Sequence, residues 1–187
     1  TARSRGLGDV YKRQILYEGD FLNSQPHGIG TMYNNDLIEY DGQIKNGYKH
    51  GQGKMFSYLS NNAIHSVVKG EFKRNLVHGY AEKILYKYDS NSDSNNPYTK
   101  LVGNFSKGSF IDGSQYVCDF NDENELVWLP FYTGSFLHSN DGYLRRHGNG
   151  ILYEVKCICS GNFQLNEKHG PCSCLLYTSP SPRDLAV

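Results

Sequence analysis

The feature that most restricts what this chain can fold into is a motif that returns in a fixed internal frame. Tyr17, Gly19 and Phe21 stand two places apart, His27 and Gly28 follow at the eleventh and twelfth places, and Gly30 lies two further on. Tyr40, Gly42, Ile44, His50, Gly51 and Gly53 repeat the frame, as do Val68, Gly70, Phe72, His78 and Gly79. Cys159, Gly161, Phe163, His169 and Gly170 keep it near the far end. Tyr132, Gly134, Phe136, His147, Gly148 and Gly150 keep the motif but hold five extra residues inside it. Leu101, Gly103 and Phe105 open the most divergent copy, in which the histidine is lost and Gly113 is displaced by one. Self-similarity at intervals of 23 to 33 residues between leading glycines marks a repeat architecture, and it must be read before any local pattern.

Inside the first half of each copy apolar and polar residues alternate, which is the period of a strand with one apolar face. A second short apolar stretch follows His-Gly, and between the two lie steps such as Asn46-Gly47 that suit a tight turn with positive φ. One β-hairpin per copy is therefore expected. A mid-strand glycine marks a bulge or a close approach. With an aromatic two residues away in nearly every copy, it predicts a ring laid across bare backbone. A lone hairpin is marginal, so the copies should stack into one elongated antiparallel sheet, an all-β, solenoid-like architecture. The polar segments 89–97 and 119–125 read as surface loops inserted between copies.

Tyr-x-Gly-x-Phe followed by His-Gly-x-Gly resembles the MORN (membrane occupation and recognition nexus) repeat. The resemblance covers six copies, at 17–33, 40–56, 68–84, 101–116, 132–153 and 159–173, within an array spanning 15–173. Ala81 and Cys172 depart from the pattern where a second glycine would stand, as does Cys159 in place of the leading aromatic. The family implies a non-catalytic scaffold that binds protein partners, with self-association through the sheet edges. It also keeps open peripheral binding to anionic phospholipid, and a regulatory role within a larger enzyme such as a phosphoinositide kinase or SET-domain methyltransferase. A cytoplasmic location, at a membrane or the cytoskeleton, goes with these readings.

The two ends, 1–14 and 174–187, share no periodicity with the array. Residues 174–184 back-translate into DNA whose reverse complement, read one base out of frame, encodes residues 4–14. Both resemble a translated sequencing-library adapter, and both are set aside as carrying no domain. The full chain has 19 basic and 19 acidic residues; without the ends 14 and 17 remain, an acidic balance of about −3. Such a chain, with no basic stripe, is a poor partner for nucleic acid, and it has no apolar run long enough to span a bilayer. Lys69 to Arg74 and the Arg145-Arg146 pair are its densest basic spots.

Cys157, Cys159, Cys172 and Cys174 have the spacing of a thiolate metal site. Cys174, however, belongs to the adapter-like string. The native Cys157, Cys159 and Cys172 are then only weak metal candidates, and reduced thiols are the simpler expectation. The five histidines at one repeat position lie a hairpin apart, roughly 10 Å, too far to share an ion. No nucleophile-base set, phosphate loop or paired carboxylates fall together in the sequence. No cofactor and no catalytic activity are expected of this segment.

Overall fold

The computed structural model describes residues 16–90, 94–121, 123–138 and 143–176. They form twelve strands: β1 (Tyr17–Leu22), β2 (Gln25–Asn34), β3 (Leu37–Lys45), β4 (Tyr48–Tyr58), β5 (Ile64–Lys73), β6 (Leu76–Asp89), β7 (Ser94–Ser106), β8 (Ser109–Phe120), β9 (Leu126–His138), β10 (Leu144–Tyr153), β11 (Cys157–Gln164) and β12 (Glu167–Leu176). All belong to one antiparallel sheet in strict sequence order, so each pairs only with its chain neighbours. The six expected hairpins are the pairs β1β2 through β11β12. No helix long and apolar enough to cross a membrane occurs among the described residues.

Five of the six hairpins turn on two residues, both of which take positive φ. The turns are Asn23-Ser24, Asn46-Gly47, Arg74-Asn75, Lys107-Gly108 and Leu165-Asn166. Such turns match the right-handed twist of the strands they join. His-Gly does not follow the turn as a linker; it lies inside the second strand, at that strand's own irregularity. The register slips between Gly19 and Phe21, Gly42 and Ile44, and Gly70 and Phe72 set one residue of the first strand against three of the second, so the bulge lies in the second strand at His-Gly. Bulges bend and twist a strand.

Two expectations are corrected. The polar segment 89–97 is mostly strand, because β6 runs to Asp89 and pairs it with Ser94 at the start of β7. Backbone pairing satisfies these polar residues, and the Asn95 amide adds a 2.8 Å bond to the Ile64 carbonyl. The segment 119–125 likewise contributes Asp119 and Phe120 to β8, leaving a short connection. At the far end β12 continues to Leu176, three residues beyond 173, with every residue exposed.

Apolar residues from successive hairpins make one continuous core on one face. Tyr40, Phe72, Tyr132 and Phe163 are its largest fully buried side chains. Phe72 meets the Tyr40 ring of the preceding hairpin edge-on at 5.1 Å, and Phe163 meets Tyr132 in the same way. Edge-to-face geometry sets the positive ring edge against the negative face. The hairpins are also clamped through their turns: the backbone N–H of Gly47, Asn75, Gly108 and Asn166 donates to the carbonyl of Pro26, Lys49, Val77 and Arg146 respectively. Each acceptor is the residue just before the motif position that holds histidine in the preceding hairpin. Where the turn residue is asparagine the clamp is double, because the Asn75 and Asn166 side-chain oxygens accept from the Lys49 and Arg146 N–H at 2.8 Å. Pro26 has no N–H to give, and the turn above it carries Gly47 instead.

Candidate functional site

The register lays the motif glycines in a row perpendicular to the strands. Gly19 pairs with Gly30, Gly30 with Gly42, Gly42 with Gly53 and Gly53 with Gly70. The row continues through Ala81, Gly103, Gly113, Gly134, Gly150 and Gly161 to Cys172. It crosses all twelve strands, and only Ala81 and Cys172 carry a side chain. Gly113 thus occupies the place of the second glycine, opposite Gly103, in a hairpin one residue short. It is not a displaced His-Gly glycine, and the reading of the fourth copy is corrected accordingly.

The missing side chains make room for the tyrosines. A Cβ on Gly53 would come within 2.6 Å of Tyr40 Cε2, and one on Gly150 within 2.6 Å of Tyr132 Cε2. The ring therefore lies over the glycines of its own hairpin. Its hydroxyl donates to the carbonyl three residues on, opposite the bulge: Tyr17 to Asp20 at 2.7 Å, Tyr40 to Gln43 at 2.8 Å and Tyr132 to Ser135 at 3.3 Å. Burial pushes the Tyr40 phenol up to about 12 and raises Tyr17 and Tyr132 in the same direction. In two of the three hairpins whose leading residue is smaller, the residue at the second glycine's place is larger: Val68 goes with Ala81 and Cys159 with Cys172, whereas Leu101 keeps Gly113.

The MORN-repeat family pattern matches residues 17–36 and 40–57, the first two hairpins. The chain is a MORN-repeat protein. No curated protein matches it. In MORN terms, the polar residue between glycine and phenylalanine has a task that alternation alone did not reveal. The Asp20 carboxylate and the Gln43 side-chain oxygen accept from the backbone N–H of Ile29 and Gln52, at 3.1 and 3.0 Å. They lie against Gly28 and Gly51, the second residues of His-Gly, whose φ is positive.

The repeat histidines form no common site. His27 Nδ1 lies 3.2 Å from Asn46 Oδ1 in the next turn, while His147 Nδ1 is buried without a partner. Among the described residues only one group of metal-capable donors converges: Cys157, Cys159 and Cys174. Cys172, a sequence candidate, is not in it; its exposed thiol faces the Ser173 carbonyl instead. Cys159 Sγ lies 3.5 Å from Cys157 Sγ and 3.2 Å from Cys174 Sγ, with Lys168 Nζ at 3.2 Å. The Cys174 contact and the Lys168 ammonium hold the Cys159 thiol below its ordinary range, while hydrogen bonding within the group raises Cys157.

A groove of about 820 Å3 runs across β8, β9 and β10. Val117, Leu129, Pro130, Phe131, Leu152 and Val155 make it apolar, while Arg146 brings one positive charge and Asp119 and Glu154 two negative ones. The Arg146 guanidinium stacks over Phe131 at 5.4 Å and over Tyr132 and Phe163 at 5.8 Å. It also donates to the Asn166 carbonyl at 3.0 Å. On the opposite face Lys100 sits between the Tyr116 and Trp128 rings, at 4.9 and 4.8 Å. Strand period marks each of these residues as one-faced, but no local signal says which rings from different hairpins will meet a cation.

Proposed function

We propose that this MORN array is a non-catalytic scaffold that holds protein partners along its sheet. The observation that carries the reading is the groove across β8 to β10. Its apolar floor, its exposed rim and the ring-stacked Arg146 are the makings of a binding hot spot, where aromatic and arginine anchors dominate. A peptide segment with one large apolar side chain and a neighbouring carboxylate fits it. The apolar side chain would meet Leu129 and Leu152, and the carboxylate would meet Arg146, the one cation among the described lining residues; of the two lining carboxylates, Asp119 and Glu154, the latter is already paired to Lys168 at 2.9 Å. The groove's largely apolar lining suits recognition.

Peptide display against the full chain tests this. Selected sequences should share an apolar anchor beside an acidic residue, and their binding should be lost with Leu129→Asp and weakened with Arg146→Gln. Selection that enriches nothing over the Leu129→Asp variant would refute the reading. The other partner expected from the sequence is a second copy of the chain, paired through the sheet edges at β1 and β12.

A further inference from the structure

A second pocket, of about 490 Å3, opens where the β3–β4 and β5–β6 turns lie side by side. Lys45, Asn46, Tyr48, His50, Lys73 and Arg74 form its walls. Three of the six are permanent cations and none is a carboxylate. The turn clamp assembles them. Asn75 is bonded to Lys49 through both its N–H and its side-chain oxygen, which seats the Arg74-Asn75 turn against β4 next to His50. Lys45 and Lys73 hold the same repeat position, so stacking the hairpins sets one ammonium beside the other.

The neighbouring charges leave these cations unspent. Lys49, the nearest other base, is ion-paired with Glu39. Asn46 turns its oxygen toward His27 Nδ1, which leaves its amide N–H groups as donors for the pocket. Tyr48 is half exposed at the rim. Lys107 continues the basic series in the next turn. Six carboxylates lie instead at or next to the connections between hairpins, on the opposite edge of the sheet: Asp36, Asp89, Asp119, Glu123, Glu125 and Glu154, although Lys156 also lies there and Glu167 stands at a turn. The acidic balance of the array therefore hides an uneven distribution of charge between the two edges.

We propose that the pocket formed by Lys45, His50, Lys73 and Arg74 binds a phosphate monoester. A guanidinium meets two phosphate oxygens at once, ammonium groups act as point charges, and neutral N–H and O–H donors complete the oxygen shell. A dianion matches three fixed cations better than a singly charged carboxylate does. The site shares no residue with the β8–β10 groove and stands whether or not that groove takes a peptide.

The test uses the full chain and two sources of the same chemistry. Inorganic phosphate is titrated by calorimetry, and vesicles of phosphatidylcholine with phosphatidic acid are compared in co-sedimentation with vesicles carrying phosphatidylserine. Lys73→Gln with Arg74→Asn removes two cations while keeping a side chain that tolerates the φ of 50° at Arg74. Lys54→Gln with Lys69→Gln makes the same charge change at a cross-strand pair away from the pocket. Phosphate should bind saturably. The first variant should weaken binding roughly thirtyfold, and the second less than about threefold. Lys45→Gln, outside the turn, should weaken it in the same direction. Preference for phosphatidic acid vesicles, lost in the first variant, identifies a lipid headgroup as source; phosphate binding without vesicle binding identifies a soluble monoester. Absence of saturable phosphate binding, or equal losses in the two charge variants, overturns the proposal.

Discussion

Replacing Gly53 with alanine should act almost entirely through one ring. Gly53 lies in extended backbone and demands no special φ, yet its new methyl would sit within 2.6 Å of Tyr40 Cε2 and closer still to Cζ and the hydroxyl. Carbon atoms rest at about 3.5–4.0 Å, so the ring must move by roughly 1 Å. Tyr40 is 0 % exposed and has nowhere to go. The shift breaks its 2.8 Å bond to the Gln43 carbonyl, worth about 1 kcal/mol, and overpacking adds about 1–3 kcal/mol. The expected cost is therefore about 3 kcal/mol. Tyr40→Val alone empties a buried ring site at a further ~3 kcal/mol. The two together reproduce the Val68 and Ala81 arrangement of the third hairpin, where valine leaves room for the methyl. The double variant should then cost about 3 rather than about 6 kcal/mol, a coupling of about 3 kcal/mol. Urea unfolding followed by circular dichroism measures all four corners, compared by midpoint at unchanged slope. Additive losses would mean that the ring and the glycine row do not share one volume.

Asn75→Gly keeps the positive φ and removes only the side-chain acceptor for the Lys49 N–H; it should cost about 1 kcal/mol and speed hydrogen exchange at the Lys49 amide. Gly47→Asn should bring no matching gain, since Pro26 has no N–H to offer. The raised tyrosines predict the alkaline limit. The folded state holds the Tyr40 proton up to about 12, against 10.0 for a free phenol. Stability from this group is thus whole below pH 10 and lost as pH climbs toward 12. Denaturant midpoints across that range should fall, and fall less in Tyr40→Phe; a midpoint that rose with pH would contradict the assignment.

The hairpins and the ring-over-glycine packing were legible because both rest on period two and on glycine's missing Cβ. That the row of glycines runs unbroken from hairpin to hairpin was not, since cross-strand register depends on bulges that no single strand announces. Gly113 shows the difficulty: counted along the chain it is one place off, but counted across the sheet it faces Gly103. The turn clamps escaped notice because each joins residues some twenty to thirty places apart, such as Lys49 and Asn75. Net charge misled more subtly. A sum over the array cannot show that Lys45, Lys73 and Arg74 fall together at two neighbouring turns.

The unbroken row also separates distance along the chain from distance in space. From Gly19 to Gly42 the chain spends 23 residues, and from Gly70 to Gly103 it spends 33, yet each journey advances the sheet by the same two strands. At about 4.8 Å per strand, twelve strands make a straightedge roughly 50 Å long, graduated every ~10 Å. Insertions between hairpins lengthen the thread without moving the graduations. A partner that reads two marks on this ruler would find them at the same spacing however much chain had been added between them.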